Sequence, residues 1–133
     1  MAEEEIGEQL ADEEDRITEG IVYRAGLSNP SNMTPRLKDA HGPRRGLSAH
    51  VDPVEALPPE VPGEKSKPYV VVEIDVGLLQ NLHAYRDSSG HISFRPLKQA
   101  ELEEWVLSRG EESMHPLTKE VRDAVREKRK ITR

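Results

Sequence analysis

The stretch Tyr69-Val70-Val71-Val72-Glu73-Ile74-Asp75-Val76 decides the fold class. Strand alternation puts Val70, Val72, Ile74 and Val76 on one face and Tyr69, Val71, Glu73 and Asp75 on the other. One face is wholly apolar, and the other turns polar toward its C-terminal end. This predicts a core strand whose far end lies near solvent or a site.

Shorter runs flank it. Ile21-Val22-Tyr23-Arg24-Ala25, between Gly20 and Gly26, is rich in β-branched and aromatic residues and reads as a strand. A short strand is expected around Gly46-Leu47-Ser48-Ala49-His50-Val51. Leu78, Leu79 and Leu82 suit a turn or short helix. The turn signal Asp87-Ser88-Ser89-Gly90 leads into His91-Ile92-Ser93-Phe94-Arg95, which alternates strictly and stops at Pro96. Ile92 and Phe94 face one way; His91, Ser93 and Arg95 face the other.

Two helices are expected at the end. In residues 97–108, Leu102, Trp105 and Val106 fall at i, i+3 and i+4. In residues 118–128, Val121, Ala124 and Val125 form a stripe, Thr118 stands at the cap position and Pro116 blocks extension backward. From Lys119 to Arg133 there are seven bases and three acids, which favour a helix C-terminus through the helix dipole. With neither a βαβ rhythm nor a glycine-rich loop after a strand, the fold class expected is α+β. The architecture would be a small mixed or antiparallel sheet of four short strands, a long Pro-rich loop region and two C-terminal helices.

That loop region spans residues 26–68 and holds eight of the ten prolines. Proline removes backbone donors and fixes φ, so long helices and central strands are disfavoured there. Residues 52–57 suit a single helical turn capped by Asp52, with Pro53 in first position. Loops this long inside a compact domain are often functional.

Charge divides the chain. Residues 1–20 hold nine acids and one base, against −6 for the whole chain, so the rest carries about +2. Residues 1–19 read as an acidic, disordered leader, and residues 20–133 as a single domain. A charge of +2 gives no electrostatic footprint for nucleic acid. No apolar run approaches the roughly 18 residues of a membrane span, and an acidic start does not suit a targeting signal. The chain has no cysteine, which excludes disulfides, thiolate metal sites and a cysteine nucleophile, and fits a cytoplasmic working environment.

Candidate chemistry sits in four places. Arg24, inside an apolar strand, either faces outward or clamps an anion, because its guanidinium fork suits phosphate oxygens. Ser48 can brace a site through its hydroxyl. His91, Ser93 and Arg95, on one strand face, can bind phosphate or carry acid–base chemistry. Glu101-Leu102-Glu103 has Glu-x-Glu spacing but falls in the first helix, where i and i+2 point to different sides. The five histidines (His41, His50, His83, His91, His115) show no metal-ligand spacing, so no metal is expected. No Ser/His/Asp order stands out.

The run Val22-Tyr23-Arg24-Ala25 resembles the first strand of bacterial ADP-ribosyltransferase toxins. Gly46-Leu47-Ser48 falls where that family places its serine-containing strand, and Tyr69 to Val76 looks like the following core strand. Together with the late His91-x-Ser93-x-x-Pro96 strand, the pattern is most similar to small type VI secretion effectors with an ADP-ribosyltransferase-like fold. The resemblance spans Ile21 to Pro96. It implies NAD as cofactor, with Arg24 and Ser48 as the cofactor-binding residues and His91 and Ser93 as the catalytic ones. It further implies a toxin delivered into a target-cell cytosol and a cognate immunity protein as partner. Two features depart from the family: its Ser-Thr-Ser is Leu47-Ser48-Ala49 here, and its Glu-x-Glu precedes a late strand whereas Glu101 and Glu103 follow one. Two alternatives stand beside it. One is a metal-independent ribonuclease toxin using His91 with Arg95 or Arg24. The other is a non-enzymatic interaction module that binds through the acidic leader or the basic tail.

Overall fold

The computed structural model describes residues 15–63, 65, 67–110 and 114–132. Among the described residues, seven strands and two α-helices follow one another: β1 (Arg16–Ile17), β2 (Ile21–Ala25), β3 (Leu47–His50), β4 (Pro68–Asp75), β5 (His83–Ser88), β6 (His91–Arg95), α1 (Gln99–Leu107), α2 (Pro116–Asp123) and β7 (Val125–Thr132). The strands form one antiparallel sheet in the order β1-β5-β6-β3-β2-β4-β7. The class is α+β, with both helices in the C-terminal half of the chain. Among the described residues, no helix is long and apolar enough to cross a membrane.

The apolar residues of alternate strand positions form one face of this sheet. Val22 lies opposite Ile74, Ala49 opposite Ile92, and Leu47 and Ala84 flank Phe94. All are buried and pack with Leu102, Trp105 and Val106 of α1 and with Leu117 and Val121 of α2. Burying such side chains is worth about 1.5–3 kcal/mol each. The proline-rich region is no surface appendage, because its Met33 and Ala40 join the same core. A 3-10 turn over Leu37–Ala40 sits within it, and Asp52 Oδ1 accepts from Val54 N–H at 2.8 Å in the turn expected there.

The sheet departs from the expected four strands. β5 was not anticipated, because His83-Ala84-Tyr85-Arg86-Asp87-Ser88 lacks a β-branched pattern. It is a strand because the Ser89-Gly90 turn folds it back onto β6, which supplies its hydrogen-bond partners. The expected second helix also ends early. After Ala124 the chain pairs with β4 from Ile74 to Pro68, so the basic tail is an exposed edge strand rather than a helix terminus. Its charges suit such an edge, since they discourage pairing with other chains. The helix starts differently as well. Pro116 occupies its first turn, where a missing N–H costs nothing, and His115 is the cap, accepting from Leu117 N–H through Nδ1. Thr118 is instead buried, its hydroxyl bonded to Trp105 Nε1 at 2.9 Å and to Thr34 at 2.7 Å.

The expected leader 1–19 lies outside the described residues up to position 14. At its end, Arg16 and Ile17 pair with Tyr85 and Ala84, and Ile17 packs on the core. The sheet therefore takes in the last residues of that segment.

One joint in the sheet is weak. β2 meets β4 through five register pairs and β3 meets β6 through four, but β2 and β3 share only Tyr23 opposite His50. Beyond that pair the two strands part, leaving two half-sheets, β1-β5-β6-β3 and β2-β4-β7, joined at a single point.

Candidate functional site

The second face of the sheet carries polar residues. Alternation sends Ser48 and His50 of β3 and His91, Ser93 and Arg95 of β6 away from the helices, with Ser48 opposite Ser93 and His50 opposite His91. All five residues of β6 are nevertheless buried. Residues 43–45 cross over this face and give it backbone acceptors. Arg95 donates to the carbonyls of Arg45 (2.7 Å) and Pro43 (3.0 Å), and Ser93 Oγ lies 3.4 Å from that of Arg44.

The centre of the cluster is Asp87, seen in the sequence only as a turn residue. It stands at the register irregularity between Arg86 and Ser88, where the strand has one residue more than its partner. Such bulges re-aim side chains. Its carboxylate turns onto the buried face: Oδ1 lies 2.6 Å from His91 Nδ1, and Oδ2 accepts from Ser93 Oγ and from Arg95 Nη2 at 3.3 Å. The side chains of Asp87, His91 and Arg95 are 8%, 5% and 6% exposed, so the Asp87 carboxylate meets the Arg95 guanidinium and the His91 ring with little water between them. Burial pushes the Arg95 guanidinium pKa down, and the Asp87 carboxylate opposes that shift.

His91 extends the chain outward. Its Nε2 is 3.2 Å from Ser48 Oγ. An imidazole that donates Nδ1–H to Asp87 presents Nε2 as the acceptor for the Ser48 hydroxyl. A Ser/His/Asp arrangement is therefore present, although no such order stood out in the sequence; Ser48, Asp87 and His91 come from three strands that only the sheet brings together. His50 lies beside it, its ring edge-on to His91 with centroids 5.0 Å apart.

Arg24 belongs to the other face. It alternates with Tyr23, which pairs with His50, and shares its side with Val22. The guanidinium lies where β2 and β3 part. Nε donates to Asn32 O at 2.9 Å, Nη1 to Ser48 O at 2.7 Å and Nη2 to Asn32 Oδ1 at 3.4 Å. Burial pushes its pKa down to about 10, so it stays cationic at neutral pH. The structure thus brings Ser48, His91 and Ser93 into one network and attaches Arg24 to it from behind, through the carbonyl of Ser48.

Glu101 and Glu103 remain exposed on α1, and Glu103 reaches Gln99 and His41 rather than the polar network. Arg95 is engaged with two carbonyls and Asp87. Among the described residues, no group of three or more His, Asp or Glu is placed to hold a metal ion.

His50 supplies a pH prediction. Burial, then the neighbouring His91, lower its pKa from the ordinary 6.5, against an opposing effect of Glu55. The unfolded chain then binds a proton near pH 6.5 that the folded chain refuses, so stability falls as pH drops below about 6.5. His50→Gln removes this term. The difference in Tm between the variant and the parent is expected to move in the variant's favour between pH 7.5 and 5. A difference independent of pH would show that His50 is not held neutral by the fold.

Compared with family models, with curated proteins and with solved structures, the chain matches none.

Proposed function

We propose that the chain is an ADP-ribosyltransferase-like domain that binds NAD at the opening between β2 and β3. The observation that carries this reading is the placement of Arg24. Its guanidinium is oriented by three acceptors, yet all of them are neutral carbonyl or amide oxygens. An oriented, partly desolvated cation whose bonded partners carry no charge favours an anion such as a pyrophosphate. Ser48, the residue whose carbonyl Arg24 grips, also carries the hydroxyl that leads to His91 and Asp87.

The residues fit an anionic ligand better than they fit the acid–base part of the family's chemistry, since Glu101 and Glu103 lie elsewhere. When bound, NAD supplies an activated ribosyl carbon. Arg24 would hold its phosphates and Ser48, whose carbonyl it grips, would brace the opening, while His91 Nε2, on the opposite face of the sheet, would accept the proton of a hydroxyl reaching the ribose through the gap between β2 and β3, with Ser93 holding Asp87 behind it. On this reading the chain acts as a toxin on a cytosolic target and is neutralised by a cognate immunity protein.

Titration calorimetry with NAD tests the reading. A hydrogen bond to a charged group is worth about 1.5–3 kcal/mol, so Arg24→Ala is expected to weaken binding about 10- to 100-fold. Arg24→Lys keeps the charge but loses the fork, and is expected to fall between. Expression of the parent chain in bacteria should arrest growth, and Arg24→Ala should relieve the arrest. Absence of NAD binding at millimolar concentration, together with harmless expression, would overturn the proposal.

A further inference from the structure

Ser48, His91 and Asp87 also support a reaction that needs no NAD, although Ser48 and His91 enter the NAD reading too. We propose that Ser48 is a nucleophile activated by His91 and Asp87, and that this face of the sheet cleaves acyl esters.

The geometry is that of an activated hydroxyl. Each ring nitrogen of His91 has its own partner: Nδ1 faces Asp87 Oδ1 at 2.6 Å, and Nε2 faces Ser48 Oγ at 3.2 Å. Both distances lie within reach for a base and its orienting group. The orientation is held from behind. The second oxygen of Asp87 accepts from Ser93 and Arg95, and these are tied to the carbonyls of residues 43–45. Rotating the His91 ring would leave the buried carboxylate short of a donor.

Exposure runs in the order a nucleophile needs. His91 is buried, whereas Ser48 at the outer end is half-buried. Ser93, Arg95 and His91 satisfy both oxygens of Asp87, and the Ser48 hydroxyl meets the remaining ring nitrogen of the buried His91 at the outer end.

His50 supplies the donor for the charge that develops. It lies two residues beyond Ser48 on the same face of β3, half-buried, with its ring against His91. Neither of its ring nitrogens has a hydrogen-bond partner among the described residues. A neutral imidazole so placed can donate an N–H to an oxyanion.

In the reaction, Ser48 Oγ bonds to the acyl carbon and its proton passes to His91 Nε2. The bond from that carbon to the alcohol oxygen breaks, and the leaving alcohol takes the proton from His91. Water then gives a proton to His91 and bonds to the acyl carbon, and Ser48 departs with that proton. The sum is ester plus water giving acid plus alcohol, with no other reactant.

The test is reaction of the full chain with a fluorophosphonate probe, followed by mass spectrometry. A single adduct on Ser48, formed with loss of fluoride, is expected. Ser48→Ala, which removes one hydroxyl at the edge of the network, should abolish it. Asp87→Asn, nearly isosteric, should slow labelling at least 100-fold, and hydrolysis of 4-nitrophenyl butyrate should fall in parallel. Failure of the parent chain to form an adduct, or an adduct on another residue, would overturn the proposal. NAD titration of the same sample reads binding at Arg24, which is not part of the triad, so NAD binding without labelling sinks this inference alone.

Discussion

Asp87→Ala is expected to lower the unfolding free energy by about 3–5 kcal/mol, the usual cost of removing one partner from a buried charged network. Asp87 is the shared acceptor of His91, Ser93 and Arg95, and all four side chains are buried. Without the carboxylate, Arg95 keeps its carbonyl acceptors but loses its counter-charge, and Ser93 and His91 lose their closest partners. Water cannot easily replace them beneath residues 43–45. Asp87→Asn keeps an acceptor for His91 and fills the same volume, so a smaller loss is expected. Urea denaturation followed by circular dichroism measures both. An unchanged midpoint for Asp87→Ala would mean that the network contributes nothing net and that its groups reach solvent in the variant.

Gly46→Ala is expected to be at least as damaging. Gly46 enters β3 with φ at +110°, a conformation that L side chains rarely adopt. A methyl group there would also overlap the carbonyl oxygen of Phe94 and stand 3.0 Å from Arg95 Cγ. That carbonyl belongs to β6, which pairs with β3 from Leu47 opposite Phe94 onward, so it cannot withdraw without parting the two strands. Backbone strain of this kind costs about 1–3 kcal/mol before any clash is counted. A loss above about 3 kcal/mol, or failure to accumulate folded protein, is the expected outcome by thermal melting. Gly42→Ala is the control for strain alone, because its φ is also positive but a methyl group would meet nothing within 4 Å. Equal losses in the two variants would show that contact with Phe94 is not what constrains Gly46.

Both residues mark the limits of what could be read from the chain. The core strand was legible because alternation in Val70, Val72 and Ile74 is a local pattern, and the structure places a strand at Pro68–Asp75. Even there, Val71 was assigned to the more polar face yet is fully buried, since Ala25 of β2 and Arg129 of β7 flank it. Trp105 and Leu102 were legible as an apolar helix stripe. β7 was not: Val125-Arg126-Glu127-Lys128-Arg129-Lys130-Ile131-Thr132 has no apolar period, and helix and strand suit it equally until β4 offers an open edge. There Arg129 bonds Glu73 at 2.5 Å and lies over the ring of Tyr23, contacts that involve residues more than fifty positions away.

The candidate residues followed the same division. Ser48, His91 and Ser93 stand out in the sequence only as single polar positions on strands, and the expected orientation of His91, Ser93 and Arg95 on one face holds. Asp87 was missed because turns commonly carry aspartate, and only the bulge in β5 turns it inward. By itself the sequence determined where apolar side chains recur, and hence the class, the core strands and the first helix, because those patterns depend on near neighbours along the chain. Tertiary structure alone decided which strands became neighbours, which polar side chains were buried together, and on which side of the sheet Arg24 lies. Those outcomes depend on hydrogen-bond partners and water exclusion supplied by distant segments, and no local period encodes them.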